Sequence, residues 1–164
     1  MSHRNGAILI LALAATACSS YRIAEPRSEV LHPFAAIPGE FARVCVIRTA
    51  HYAQALTFTT VDNGTLVGAT KGPTFFCYKA EPGHHELRFA ADEITTVTLD
   101  TEGGKSYYLH EKIPFAFITR VDAVEVSEHA AHVLVDDSTY EVITEGPSSQ
   151  KLPEAIPFAR AATR

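Results

Sequence analysis

The amino-acid sequence predicts an all-β fold, a mostly antiparallel β-sandwich or open barrel with one short helix near the C-terminal end. Three observations carry this expectation. Short runs rich in β-branched and aromatic residues recur through residues 42–144. Turn signals separate them at regular spacing, the strongest being Asn63-Gly64 between two such runs. Several runs alternate apolar and polar residues with period two, the repeat of a strand that buries one face.

The elements follow in order. Residues 42–49 (Ala-Arg-Val-Cys-Val-Ile-Arg-Thr) open the series of strands. Residues 55–62 and 65–71 flank Asn63-Gly64, which suits a type I′ turn because both central positions need positive φ. Residues 74–80 carry Phe75, Phe76, Cys77 and Tyr78, and Glu81-Pro82-Gly83 turns the chain into the next run. There His85, Leu87, Phe89 and Ala91 share one face. In residues 95–100, Val97 and Leu99 point inward and the intervening Thr and Asp residues outward. Gly103-Gly104 turns into residues 105–112, where Tyr107 and Tyr108 must face opposite sides. Residues 117–126 form a further strand, residues 128–134 one or two helical turns with Ser127 as N-cap, and residues 138–144 the closing strand.

With 164 residues the chain is one domain's worth, and a hydrophobic fraction of 46% is ordinary for a folded body. Fourteen Lys+Arg against 19 Asp+Glu leave a charge of -5, which argues against a nucleic-acid partner.

The N-terminal residues read as an export signal. Arg4 precedes an uninterrupted apolar run over residues 7–15, and Ala15-Thr16-Ala17 supplies small residues for cleavage. The run falls short of the roughly 20 residues that a membrane-spanning helix needs. Cys18 follows directly, and the segment resembles a bacterial lipoprotein signal, although Ala15 stands where that pattern favours Leu. The resemblance implies a signal peptide over 1–17, lipidation of Cys18, and, through Ser19, the periplasmic face of the outer membrane. The alternative is a soluble periplasmic or secreted form. Residues 18–40, with Pro26, Pro33 and Pro38, are expected to be a lipid-anchored tether, apart from apolar residues around Val30 and Phe34 that could pack on the body. A flexible chain of that length spans about 25 Å root-mean-square. The β-domain is expected over 41–146 and a disordered tail over 147–164.

Cys45 and Cys77 remain as an even pair once Cys18 is assigned to the anchor. In an oxidising compartment they are expected to form a disulfide, worth about 3–4 kcal/mol for a loop of this size. The alternative is two buried thiols packing as small hydrophobes. Eight histidines invite a metal reading, but adjacent His84 and His85 point to opposite faces of a strand. His129 and His132 share a helix face without a third ligand, and His110-Glu111 lacks a second His at the metalloprotease spacing. The histidines are therefore read as solvated surface residues. The sequence contains no Cys-x-x-Cys, nucleophile elbow or phosphate-cradling Gly loop, and the expectation is no catalytic residue, metal or cofactor.

A second resemblance covers residues 42–144. It rests on Arg43, Cys45 and Arg48, on Asp62-Asn63-Gly64 and Leu66-Val67-Gly68, and on the run from Gly72-Pro73 to Cys77-Tyr78. Glu81-Pro82-Gly83-His84-His85 and Gly104-Lys105-Ser106-Tyr107-Tyr108-Leu109-His110 complete it. These residues resemble domain-of-unknown-function family 2846, found in bacterial lipoproteins and exported proteins. The resemblance implies a small β-rich envelope domain and carries no catalytic residues across.

Three functional expectations follow. The first is a non-enzymatic envelope module that binds a protein partner or cell-wall polymer. The second is a small-ligand binder using the aromatic supply of Phe75, Phe76, Tyr78, Tyr107, Tyr108, Phe115 and Phe117. The third is an envelope hydrolase or thiol enzyme, for which Cys77, His84 and His85 are the candidate residues.

Overall fold

The computed structural model describes residues 21–26, 33–114 and 119–146. Residues 1–20, including the expected export signal and Cys18, lie outside the described residues, as do Phe115, Phe117 and residues 147–164. Two sheets pack face to face as a sandwich. One contains β2 (Ala42–Ile47), β5 (Thr74–Ala80), β8 (Ser106–Lys112), β9 (Asp122–Val126) and the two-residue β10 (Thr139–Tyr140), in the order β10-β5-β2-β8-β9. The other contains β3 (Thr57–Asp62), β4 (Thr65–Lys71), β6 (Gly83–Ala90) and β7 (Ile94–Thr101), in the order β4-β3-β6-β7. A two-stranded ribbon of β1 (Arg22–Ala24) and β11 (Val142–Glu145) and a single helix α1 (Glu128–Asp136) complete the described fold.

Pairing is antiparallel except at two places: β2 runs parallel to β8, and β10 parallel to β5. Strand β2 sits at the centre of the five-stranded sheet and is buried along its whole length. Its composition allows this, because Val44 and Val46 supply one apolar face and Cys45 and Ile47 the other. Val44, Val46, Phe76 and Leu109 meet Phe58, Leu87, Phe89 and Leu99 of the opposing sheet in the sandwich core. At Gly68 the Phe76 ring lies so close that a Cβ would stand 2.1 Å from its Cε2. The outer face of the five-stranded sheet carries Cys45, Ile47, Phe75, Cys77 and Tyr108, covered by Ala131, Leu134 and Val135 of α1 and by Phe34.

Ser127 caps α1 by accepting from the Ala130 amide at 3.3 Å, as the sequence predicts. The Asn63-Gly64 turn has φ of 45° and 83°, the left-handed pair that a type I′ hairpin requires. The closing strand expected over 138–144 is instead split between β10 and β11, which serve different sheets.

The expected free tether over 18–40 is not what the described residues form. Arg22–Ala24 pair with β11, with Ile23 opposite Ile143. Ile23, Tyr21 and Ile143 cover Leu66, Ala69 and Val61 on the outer face of the four-stranded sheet. Farther along, the Arg43 guanidinium donates to the Pro33 and Ala35 carbonyls at 2.6 and 2.8 Å, and the Tyr108 hydroxyl donates to Pro33 at 3.2 Å. Arg43 is fully buried, and burial pulls its pKa below the ordinary value. The segment is held because it covers apolar surface and because its carbonyls satisfy a buried cation.

Cys45 and Cys77 are register partners across β2 and β5 and form a disulfide with Sγ atoms 2.03 Å apart.

Candidate functional site

One end of the sandwich gathers the turn motifs of the sequence. The β3–β4 turn, the β5–β6 turn and the start of β6 enclose a groove of about 460 Å³. Asp62, Tyr78 and His85 form its floor, and Asn63, Thr65, Lys79, Glu81 and His84 its polar rim. The period-two strands explain the division: His85 points between the sheets with Leu87 and Phe89, whereas His84 points outward and pairs with Asp100 at 2.8 Å.

Asn63 does more than turn the chain. Its side-chain amide donates to the His84 carbonyl at 3.2 Å, and its Oδ1 accepts from the Glu86 amide at 3.0 Å. These bonds pin the hairpin tip to β6. Next to Pro82 of the β5–β6 turn, a Cβ on Gly103 would stand 1.9 Å from the Gly39 carbonyl oxygen. Only glycine admits that close approach of the incoming chain to the turn before β8.

The floor is a closed hydrogen-bond set. His85 Nδ1 lies 2.9 and 2.8 Å from the two Asp62 carboxylate oxygens. The Tyr78 hydroxyl donates to Asp62 Oδ2 at 3.0 Å. His85 Nε2 lies 2.7 Å from the Glu81 carbonyl and 3.2 Å from the Thr101 hydroxyl, which itself donates to Glu81 at 2.9 Å. Each ring nitrogen of His85 therefore has polar partners within the chain, the Asp62 carboxylate at Nδ1 and the Glu81 carbonyl and Thr101 hydroxyl at Nε2. Burial, together with the Asp62 carboxylate, pushes the Tyr78 hydroxyl pKa up. The cluster links β3, β5, β6 and β7, so it ties the two sheets together.

The opposite end of the interior holds a second polar set. Arg48 is fully buried; its Nη1 donates to the Leu56 carbonyl at 3.1 Å and its Nη2 to Tyr52 and Ala53 at 3.1 and 2.8 Å. The guanidinium also lies 4.2 Å from the Phe58 ring centroid, which holds the β2–β3 loop against the core. Glu111 is fully buried, with Oε2 accepting from the Thr70 hydroxyl. Its Oε1 has no hydrogen-bond partner among the described residues. Burial pushes the Glu111 carboxyl up to about 7, against the opposing influence of Thr70 and Arg48.

The sequence-predicted site residues are placed as follows. Cys45 and Cys77 come together; Cys18 lies outside the described residues. The expectation that the histidines are solvated is corrected at His85, which is only 6% exposed. The physical reason was available in its period-two partners Leu87 and Phe89, since a histidine on a core face needs buried polar partners. His132 stacks on Phe34 with ring centroids 3.6 Å apart. No group of three or more His, Cys, Asp or Glu side chains is arranged to hold a metal among the described residues. Of the aromatic set expected to line a ligand pocket, Phe76 and Tyr78 pack in the sandwich core and Phe75 and Tyr108 beneath α1. The Tyr107 hydroxyl accepts from the Glu102 amide at 2.9 Å.

No family model, no curated protein and no solved structure matches this chain.

Proposed function

We propose that this protein is a non-enzymatic binding module of the bacterial cell envelope, anchored by lipid on Cys18 at the periplasmic face of the outer membrane. The observation that carries the binding reading is the groove. Its floor is locked by Asp62, Tyr78 and His85, whose polar atoms are engaged within the chain, while its rim presents Asn63, Thr65, Lys79, Glu81 and His84. A preformed concavity with convergent polar groups suits recognition of a polar partner surface or cell-wall polymer. The disulfide inside the body supports an oxidising compartment, in keeping with the apolar run and small-residue triplet before Cys18. We assign the body to domain-of-unknown-function family 2846 on its turn motifs, three of which surround this end of the sandwich.

The test is photo-crosslinking in intact cells, with a photoreactive residue at Lys79 or Glu81 on the rim and at Val133 on α1 as control. A defined envelope component captured from the rim and not from the control is the expected result. Absence of rim-specific capture, or turnover of an envelope substrate that rim substitutions abolish, refutes the binding reading. Intact mass of membrane-extracted protein tests the anchor: Cys18 should carry acyl chains at the mature N-terminus.

A further inference from the structure

We infer that the outer face of the β1–β11 ribbon lies against the lipid surface, with α1 as the layer farthest from it. This rests on the proposal that Cys18 is acylated. The decisive observation is where the body begins. Only Ser19 and Ser20 separate Cys18 from Tyr21, and Tyr21 and Ile23 are already packed on Leu66, Ala69 and Ile143. Three residue steps reach at most about 10–11 Å when fully extended. The twenty-two-residue flexible tether expected from composition would have let the body swing freely; this connection does not.

The layer order converts the short leash into an orientation. The ribbon covers the outer face of the four-stranded sheet through Val61, Leu66 and Ala69. That sheet packs on the five-stranded sheet, and α1 covers the far face of the latter through Ala131, Leu134 and Val135. At about 10 Å per layer, two sheets separate α1 from the ribbon, although the end of α1 at Asp136 is joined to Val142 by six residue steps, at most about 20 Å. A lipid attached within about 11 Å of Tyr21 therefore holds the ribbon close to the bilayer and keeps α1 away from it. Charge is not the cause. Around the ribbon Arg22 and Lys71 face Glu25, Glu141 and Glu145, a mixed set with no basic excess to attract anionic lipid.

The experiment uses the full-length acylated protein in vesicles of phosphatidylethanolamine and phosphatidylglycerol bearing a headgroup-attached quencher. A fluorophore is placed through Glu145→Cys on the ribbon or Val133→Cys on α1, both exposed positions. Quenching should be several-fold stronger at the ribbon, and should persist at high salt because the chain and not surface charge sets the distance. Inserting about twenty Gly/Ser residues between Ser20 and Tyr21 gives about 25 Å of freedom and should bring the two labels close to equality. Equal quenching in the unmodified protein, with Cys18 shown by mass to be acylated, overturns this inference and leaves the anchoring proposal standing. An unmodified Cys18 overturns both.

Discussion

Glu111→Gln is expected to stabilise the protein at alkaline pH and to lose that advantage in acid. Glu111 is a wholly buried carboxyl whose Oε2 accepts from Thr70 and whose pKa rises from 4.5 to about 7. Because the native value exceeds the unfolded one, the native state keeps its proton longer. Below about pH 4.5 both states are protonated, and the contribution of the group is complete. As pH climbs from 4.5 to about 7 the unfolded chain gives up its proton while the native chain holds it, so stability falls, then levels off. At about 1.4 kcal/mol for each tenfold change in proton affinity, the loss is roughly 3 kcal/mol. Glutamine keeps an acceptor for Thr70 and cannot ionise. The assay is urea unfolding of parent and variant, disulfide intact, from about pH 4 to about pH 8. The difference in unfolding free energy should move by roughly 3 kcal/mol in favour of the variant across that range. A difference that is flat with pH, or that moves the other way, refutes the reasoning.

Three further outcomes are expected. Replacing Cys45 and Cys77 together by Ala should cost about 3–4 kcal/mol, given their sequence separation of 32, and thiol titration of the denatured, unreduced parent body should find neither of these cysteines free. Gly68→Ala drives a methyl into the Phe76 ring and should cost about 1–3 kcal/mol in denaturant unfolding, with Phe76→Leu in the same chain recovering part of the loss. Asp62→Ala strips the partner from both His85 Nδ1 and the Tyr78 hydroxyl, and its unfolding free energy should drop by about 3–5 kcal/mol, more than Asp100→Ala at the exposed His84 pair.

Much of the fold was legible because its determinants are local. The period-two run from His85 to Ala91, the positive-φ demand met by Asn63-Gly64, and Ser127 ahead of an Ala-rich segment each act over a few residues. Strands β4 and β5 accordingly begin and end where their patterns do. What escaped were features made by distant segments meeting. Strand β1 is three residues long, too short to show any period, and it exists because β11 pairs with it and Leu66 and Ala69 need cover. Arg43 and Arg48 lie in the first predicted run, residues 42–49, where nothing local shows that both are buried; they are, since loops fold back to offer them main-chain carbonyls.

The sequence by itself determined the strand-rich architecture, the turns and the cap of the helix, because backbone conformation and hydrophobic period are written residue by residue. Tertiary structure alone decided that β2 lies between β5 and β8, that His85 faces Asp62 and Tyr78, and that the segment before the body is packed upon it. Those outcomes depend on which surfaces are left to be covered and which buried polar groups still lack partners, and both are settled only when the sheets close on one another.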